Sequence, residues 1–257
     1  MTGTLINSGQ TASQIDHSEY SSSHSPNEVF FCPEESHFYS QCLEKMVFSR
    51  CTQADRVIEF GSGDGSPVIH SLLRTQFKGT VYGYELNSTA CQVAQSRIRQ
   101  YQLGRHYIVR NQCFFEGWQQ TDAKCLISNP PYLPAPDNDL YMPSLHGGSD
   151  GAVLTRKLLS LGCDQVLSLI SAYSNPVETI EHALAHGYQI VDFMIAPLQF
   201  GYYSSEAKVK QTIQALRAAR KAFYSSNIYL LAGVLFKQKS YGDTDISKEL
   251  VQVMTAF

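Results

Sequence analysis

An α/β fold built on a doubly wound, mostly parallel sheet is what this sequence predicts. Short apolar runs typical of strands alternate along the chain with segments of helical periodicity. A glycine-rich turn, GSGDG, follows the first of these runs and leads directly into a helical segment. Strands that alternate with helices are joined by right-handed crossovers, which cover both faces of a parallel sheet with helices.

Residues 1–27 and residues 28–257 differ in composition. The first segment is rich in Ser, Thr, Gln and Asn and has few large apolar side chains, so we expect a disordered tail. The second segment is predicted to form a single domain of ordinary size. It opens with a short helix over about residues 34–50, which Pro33 and the acidic residues that follow it favour.

Seven strands and five further helices are predicted from periodicity and from the Gly, Pro, Asn and Ser residues between them. The strands are expected at residues 56–60, 80–86, 106–115, 125–128, 165–173, 188–200 and 227–238. The helices are expected at residues 66–77, 87–102, 151–162, 176–187 and 204–223. Asn87 or Ser88 is the expected N-cap of the second of these helices.

The net charge of −3 and the cysteine pattern disfavour several classes of protein. The charge gives no general attraction to nucleic acid or to acidic membranes. The seven cysteines include no C-x-x-C pair, so we expect reduced core residues and no metal site. The N-terminus has no secretory signal pattern, and no apolar run reaches the roughly 20 residues of a membrane-spanning helix. We therefore expect a soluble, cytoplasmic protein without membrane contact.

The turn at residues 59–67 is the first candidate ligand site. Gly61 and Gly63 permit backbone conformations and a close ligand approach that other residues do not. A dinucleotide fingerprint is the rival interpretation, but Glu59 and Asp64 would repel a pyrophosphate here. Two carboxylates suit a cationic ligand, and S-adenosylmethionine, which carries an ammonium and a sulfonium group, matches them in sign.

Glu85, at the end of the second predicted strand, is the next candidate. A carboxylate in this position can accept hydrogen bonds from both hydroxyls of a ribose, as in dinucleotide-binding folds. NAD and S-adenosylmethionine both contain adenosine, so Glu85 does not distinguish them. The acidic turn after the first strand favours S-adenosylmethionine.

The third candidate is the loop Asn129-Pro130-Pro131-Tyr132, which ends a short apolar strand. Two prolines make this loop stiff, and a simple turn is the alternative interpretation. In a doubly wound sheet the loop lies beside the first strand, where Asn129 faces the cofactor. The Asn129 side-chain oxygen and the Pro130 carbonyl can accept both N–H bonds of an amide or amino group, and Tyr132 can stack on it. This arrangement aims a nitrogen lone pair at a methyl group, as N-methylation requires.

The combination of VIEFGSGDG, YGYEL and LISNPPYLP resembles class I S-adenosylmethionine-dependent methyltransferases with an NPPY motif. Within that group the chain is most similar to the HemK-type protein-glutamine methyltransferases, which also resemble it in SLHGGSDGAVLTRKLL. The resemblance implies a Rossmann-like, seven-stranded, mostly parallel sheet with an antiparallel last strand. It also implies two sets of site residues. The cofactor-binding set is Glu59, Gly61, Gly63, Asp64, Glu85 and Asn129, and the acceptor-binding set is Asn129, Pro130 and Tyr132.

The chain departs from the family pattern in two places. The family usually has an Asp near the adenine after the third strand, and Gln112 and Cys113 are the residues that stand there in this chain. We expect one of these two to contact the adenine. The family also has a helical N-terminal domain that grasps the protein substrate, and the predicted N-terminal helix is its only counterpart here.

Taken together, the motifs predict an S-adenosylmethionine-dependent N-methyltransferase. Its expected acceptor is a planar amide or amine nitrogen of a protein, a peptide or a small molecule. The alternative acceptor is the exocyclic amine of adenine or guanine in RNA or DNA, although the charge balance argues against duplex DNA. A cofactor-binding protein without catalysis and a dehydrogenase are further alternatives. A monomer or a weak dimer is the expected state.

Overall fold

The computed structural model describes residues 29–52, 55–240, 242 and 244–257. The predicted tail at residues 1–27 lies outside the described residues, so its disorder stays a prediction. The described strands form one sheet made of β1 (Arg56–Phe60), β2 (Thr80–Glu85), β3 (Tyr107–Asn111), β4 (Cys125–Ser128), β5 (Gln165–Ser171), β6 (Tyr188–Gln199), β7 (Tyr224–Ser225) and β8 (Ile228–Gln238).

The strand order along the sheet is β3-β2-β1-β4-β5-β8-β6, and β7 pairs with β8 at one end. Strands β1 to β5 are parallel to one another, whereas β8 runs antiparallel to both β5 and β6. The order reverses direction between β1 and β4, which makes this the switch point of a doubly wound sheet. The predicted α/β sheet with an antiparallel last strand is therefore confirmed.

Helices cover both faces of the sheet: α1 (Pro33–Cys42), α2 (Ser66–Arg74), α3 (Ser88–Gln100), α4 (Phe114–Gly117), α5 (Val153–Leu159), α6 (Pro176–Ala185), α7 (Ala207–Ala218) and α8 (Ser247–Met254). Each face of the sheet therefore has its own hydrophobic core, and consecutive residues of a strand point into different cores. Val57 belongs to the core that also contains residues of α1, α2, α3 and α7, whereas Ile58 belongs to the core that contains residues of α4, α5, α6 and α8. Both residues are fully buried, as expected for a central parallel strand.

The predicted N-terminal helix is present and changes geometry along its length. An α-helix over Pro33–Cys42 passes into a π-helical segment, Leu43–Val47, and then into a 3₁₀ turn, Phe48–Arg50. Its buried side chains, including Phe38 and Met46, pack on the same face of the sheet as α2. This packing holds the start of α1 close to the carboxyl ends of β1 and β4.

Several predicted boundaries were wrong. The third strand ends at Asn111 and not at residue 115, because Phe114 leaves the sheet and packs edge-on against Tyr84 at the start of α4. The sheet contains an eighth, two-residue strand, β7, which the sequence interpretation missed together with α8. The N-cap of α3 was correct, since Asn87 accepts hydrogen bonds from the backbone of Thr89 and Ala90.

The seven cysteines all lie in the described residues and are free thiols, of which Cys42, Cys91 and Cys163 are buried and the other four are partly buried. Among the described helices, none combines the length and the apolar character that crossing a bilayer requires.

Candidate active site

The carboxyl ends of β1, β2 and β4 meet at one edge of the sheet. Phe60 at the end of β1 lies opposite Tyr84 of β2 on one side and Ser128 of β4 on the other. The three loops that follow these strands therefore surround one cavity of about 830 Å³. The ten residues predicted from the sequence all line it: Glu59, Gly61, Gly63, Asp64, Glu85, Gln112, Cys113, Asn129, Pro130 and Tyr132.

The glycine-rich loop after β1 needs its glycines for conformation. Gly61 and Gly63 have φ angles of 70° and 54°, a region that favours glycine. A Cβ added to either glycine would meet no atom within 4 Å, so a lack of space for a side chain is not the reason for glycine at these two positions. The Gly61 N–H donates to the Tyr84 carbonyl (3.0 Å), which ties the loop to the end of β2. The side of the loop that faces the cavity is left open for a ligand.

Glu59 lies beneath this loop and is almost fully buried, with 2% of its surface exposed. The Tyr107 hydroxyl donates a hydrogen bond to its carboxylate. Burial raises the pKa of Glu59 to about 7, an effect that the Tyr107 hydrogen bond opposes and the nearby Glu85 and Asp64 charges reinforce. A cationic ligand in the cavity would favour the charged form of Glu59.

Glu85 and Asp64 differ in whether a positive side chain compensates their charge. The two Glu85 oxygens accept backbone N–H bonds from Gly63 (2.7 Å) and Asn87 (2.8 Å). Each oxygen keeps a lone pair for a ligand hydroxyl. Asp64, in contrast, forms an ion pair with Arg97 and accepts the Ser66 N–H (3.0 Å) at the start of α2. Asp64 therefore lines the cavity, but Arg97 compensates its charge.

Gln112 and Cys113 stand between β3 and α4, on the far side of Glu85 from the glycine-rich loop. Gln112 packs against Gly117, where an added Cβ would lie 3.1 Å from the Gln112 amide carbon. Cys113 precedes the first residue of α4 in an extended conformation. Both residues line the cavity.

The Asn129 side chain is held by Glu35, which sits 94 residues earlier in the first turn of α1. Its Nδ2 donates to one Glu35 carboxylate oxygen (2.6 Å), and the Tyr132 hydroxyl donates to the other. A carboxylate only accepts hydrogen bonds, so this contact fixes which end of the Asn129 amide faces Glu35. The opposite atom, Asn129 Oδ1, is buried and has no hydrogen-bond partner. We call Glu35, Asn129 and Tyr132 the acceptor floor.

The Asn-Pro-Pro-Tyr loop is packed tightly from behind by the segment Gly147–Gly151. A Cβ on Gly147 would lie 2.7 Å from the Tyr132 Cα, and one on Gly151 would lie 2.5 Å from the Tyr132 carbonyl oxygen. The Ser174 hydroxyl donates to that same carbonyl (2.7 Å). Only glycine allows the two backbones to approach this closely, which explains the Gly-Gly-x-Asp-Gly segment. The loop is therefore rigid on the side away from the cavity.

Glu35 is the functional candidate that sequence reasoning missed. Its position after Pro33 was interpreted as a helix start, and its burial, with 4% of its surface exposed, has no signal in the local sequence. One further buried group lines the cavity without a hydrogen-bond partner, the hydroxyl of Tyr39. Unpartnered buried hydroxyls indicate places where a bound ligand completes the hydrogen bonding.

Partly exposed aromatic side chains form one part of the cavity wall, Phe30, Phe31, Tyr202 and Tyr203, which we call the aromatic rim. The Phe30 and Tyr203 rings lie 5.9 Å apart, and the Tyr202 and Tyr203 rings lie 5.3 Å apart. The Phe31 side chain is 65% exposed. Aromatic faces at this position can contact a planar or a cationic group.

The lining of the cavity is acidic. Its described residues include five carboxylates and no Lys, Arg or His, and the carboxylates are those of Glu34, Glu35, Glu59, Asp64 and Glu85. Such a lining repels a pyrophosphate and attracts ammonium and sulfonium groups, so it fits S-adenosylmethionine better than NAD. Within the described residues, no three His, Cys, Asp or Glu side chains are grouped as a metal site.

No protein-family model matches the chain. A release factor glutamine methyltransferase from Gloeobacter violaceus is 26% identical over 122 residues, which are 44% of this chain and 42% of that protein. The match therefore spans less than half the length of this relative.

Several solved structures are similar in fold. An S-adenosylmethionine-dependent O-methyltransferase from Thermotoga maritima aligns with a TM-score of 0.44 and 14% identity, over 84% of this chain and 69% of its own. A precorrin-6y C5,15-methyltransferase from Geobacter metallireducens aligns with a TM-score of 0.48 and 12% identity, over 88% and 97%. A putative tRNA (m1A22) methyltransferase from Streptococcus pneumoniae aligns with a TM-score of 0.48 and 11% identity, over 82% and 73%.

Proposed function

We propose that this protein is an S-adenosylmethionine-dependent N-methyltransferase. The observation that carries the proposal is the buried, unpartnered Oδ1 of Asn129, which lines the same cavity as the glycine-rich loop and Glu85. An oriented acceptor atom beside a nucleotide-type pocket is what transfer to an N–H group requires. The acceptor is a nitrogen of a protein, a peptide or a small molecule.

The cofactor end of the cavity is built from the loops after β1, β2 and β3. Gly61 and Gly63 leave room for the cofactor chain, and the Glu59 carboxylate provides charge for its ammonium group. Glu85 accepts hydrogen bonds from the ribose hydroxyls with the lone pairs that its backbone contacts leave free. Gln112 or Cys113 contacts the adenine. S-adenosylmethionine supplies an electrophilic methyl group on a positively charged sulfur.

The acceptor end of the cavity is the acceptor floor. Asn129 Oδ1 and the Pro130 carbonyl accept the N–H bonds of the incoming nitrogen and orient its lone pair. Tyr132 stays protonated, because burial and the Glu35 charge raise its pKa well above the ordinary value. Its hydroxyl therefore remains a donor that holds Glu35 in place. Asp64 acts through the loop, since its ion pair with Arg97 fixes the start of α2.

The 26% identity to the Gloeobacter violaceus glutamine methyltransferase supports the reaction class. The acidic lining disfavours the alternative acceptor, a base in RNA or DNA, because phosphates would approach five carboxylates with no basic side chain among the described lining residues. We also propose that the protein acts in the cytoplasm as a monomer or a weak dimer.

Calorimetric titration with S-adenosylmethionine, with S-adenosylhomocysteine and with NAD tests the cofactor assignment. The expected result is micromolar-range binding of the first two and no binding of NAD. Incubation with methyl-labelled cofactor and lysate separated into protein, RNA and small-molecule fractions then locates the acceptor. Label that enters only the RNA fraction would overturn the proposed acceptor class, and binding of NAD alone would overturn the proposed reaction.

A further inference from the structure

We propose that the methyl acceptor is a basic nitrogen group that binds as a cation, an alkylammonium or a guanidinium, and that Glu35 is its counter-charge and proton acceptor. The inference rests on the proposed function and narrows its acceptor class from amides and amines to cations. It assigns a direct role to a residue in α1, outside the Asn-Pro-Pro-Tyr loop.

Glu35 is a buried carboxylate without a matching positive charge. In the described part of the chain, the ion pairs involve other carboxylates, and none joins Glu35 to a Lys, Arg or His. Burial raises the pKa of Glu35, and the hydrogen bonds from Tyr132 and Asn129 oppose that rise. An unpaired buried charge is costly, so the site gains when a ligand brings the missing cation.

The hydrogen-bonding inventory of the acceptor floor favours a ligand that is rich in donors. The Tyr132 hydroxyl gives its one proton to Glu35, and the Asn129 Nδ2 donates one of its two N–H bonds to Glu35. The remaining capacity consists mostly of acceptors, namely Asn129 Oδ1 and the other lone pairs of Glu35, against a single remaining Asn129 N–H donor. A primary amide has a carbonyl oxygen that needs a donor, whereas ammonium and guanidinium groups have donors alone. The floor therefore matches a cation better than a glutamine side chain.

The rest of the cavity agrees with this selection. Apart from Asp64, whose charge Arg97 compensates, its carboxylates create a negative potential that raises the local concentration of cations. The aromatic rim adds ring faces, which attract ammonium and guanidinium groups through cation–π interaction. A cation that passes the aromatic rim and reaches the acceptor floor is therefore attracted along its whole path.

Glu35 also solves the protonation problem of a cationic acceptor, because an ammonium nitrogen has no lone pair. One N–H proton of the bound cation passes to the Glu35 carboxylate, which leaves a neutral nitrogen. Its lone pair forms the new N–C bond while the methyl–sulfur bond breaks, and the electron pair of that bond stays on sulfur. The products are a methylated cation, a neutral thioether and a protonated Glu35, which then returns its proton to water.

Binding of three simple probes to the protein saturated with S-adenosylhomocysteine tests the inference. The probes are n-butylammonium, n-butylguanidinium and the neutral pentanamide, which is similar in size. At least one cation is expected to bind tenfold or more tightly than pentanamide at pH 8, and the comparison between the two cations identifies the acceptor type. Glu35→Gln should abolish this preference and leave S-adenosylhomocysteine affinity unchanged. Glu181→Gln, an exposed change on α6 outside the cavity, is the matched control and should keep the preference.

A second variant tests the role of the Glu35 charge without changing Glu35 itself. Tyr132→Phe removes a hydrogen bond that lowers the Glu35 pKa, so the pH at which cation binding appears should move upward. This readout remains available if the Gln variant does not fold. Pentanamide binding as tightly as the cations, or a folded Gln variant that keeps the preference, would overturn the inference while the proposed function stands. A wild-type protein that does not bind S-adenosylhomocysteine would overturn the proposed function itself.

Discussion

The replacement Glu59→Gln should remove a pH dependence of stability that the structure assigns to one buried carboxyl. The folded-state pKa of Glu59 is about 7, against an ordinary value of 4.5, so the folded protein holds this proton more tightly than the unfolded chain. The group therefore contributes stability below pH 4.5, and this contribution is lost as the pH rises through 7. At ~1.36 kcal/mol for each pKa unit, the full contribution is about 3 kcal/mol.

Urea unfolding of the wild type and of the Gln variant at pH 5 and pH 8 measures the effect. Between these two pH values the wild type should lose about 2.5 kcal/mol more of its free energy of unfolding than the variant does. Glutamine keeps an oxygen that accepts the Tyr107 hydrogen bond, so the comparison isolates the charge. The buried Glu35 contributes a similar trend to both proteins and cancels in the difference.

Equal losses in the two proteins would refute the reasoning, because Glu59 would then titrate with an ordinary pKa. The same variant should bind S-adenosylmethionine more weakly at pH 8, since it removes a negative charge next to a cationic ligand. A wild-type affinity in the variant would remove Glu59 from the cofactor site without changing the stability argument.

Three other predictions concern the two ends of the cavity. Asn129→Ala should lower kcat by roughly 10²–10³ and leave cofactor affinity unchanged, whereas Asn129→Asp should keep part of the activity, as measured by single-turnover methylation. If both changes only lower the melting temperature, Asn129 is a turn residue. Glu85→Ala should weaken S-adenosylmethionine binding by about 1–3 kcal/mol in a calorimetric titration, because two ribose contacts are lost, and an unchanged affinity would exclude it from the site. Phe31→Ala should raise the KM for the acceptor about tenfold through lost cation–π and stacking contacts and leave the melting temperature unchanged, since this side chain is 65% exposed. An unchanged KM would contradict a role of the aromatic rim in acceptor binding.

The sequence was sufficient to predict the strand ends that form the proposed cofactor end of the cavity. An apolar strand followed by Gly61, Glu85 or Pro130 is a local pattern, and parallel strands bring their carboxyl ends to one edge whatever the rest of the chain does. The N-cap at Asn87 was predictable for the same reason, because capping depends on residues two or three positions apart. Local chemistry decides each of these features.

Other features depend on contacts between distant segments. The end of the third strand was placed too late because Phe114 and Phe115 continue an apolar run, and only packing against Tyr84 shows that the chain turns there. The arginine partner of Asp64 stands 33 residues further along the chain. Nothing in the segment around Glu35 indicates that its carboxylate meets Asn129. Periodicity and turn chemistry do not carry this information.

The sequence separation of 94 residues between Glu35 and Asn129 affects the order in which the parts of the cavity fold. The glycine-rich loop, Glu85 and Cys113 come from one continuous stretch of about 55 residues, which folds with short loop closures. Helix α1 docks on α2 across separations of 27 and 31 residues, whereas the acceptor floor closes only when Asn129 meets Glu35 across 94 residues, and high contact order makes such a pairing a late event. Undocking of α1 takes Glu35 away while β1, β2 and α3 keep their mutual contacts. A partly unfolded molecule can thus retain the proposed cofactor end of its cavity and lose the proposed acceptor end, because the two ends belong to an early and a late folding unit.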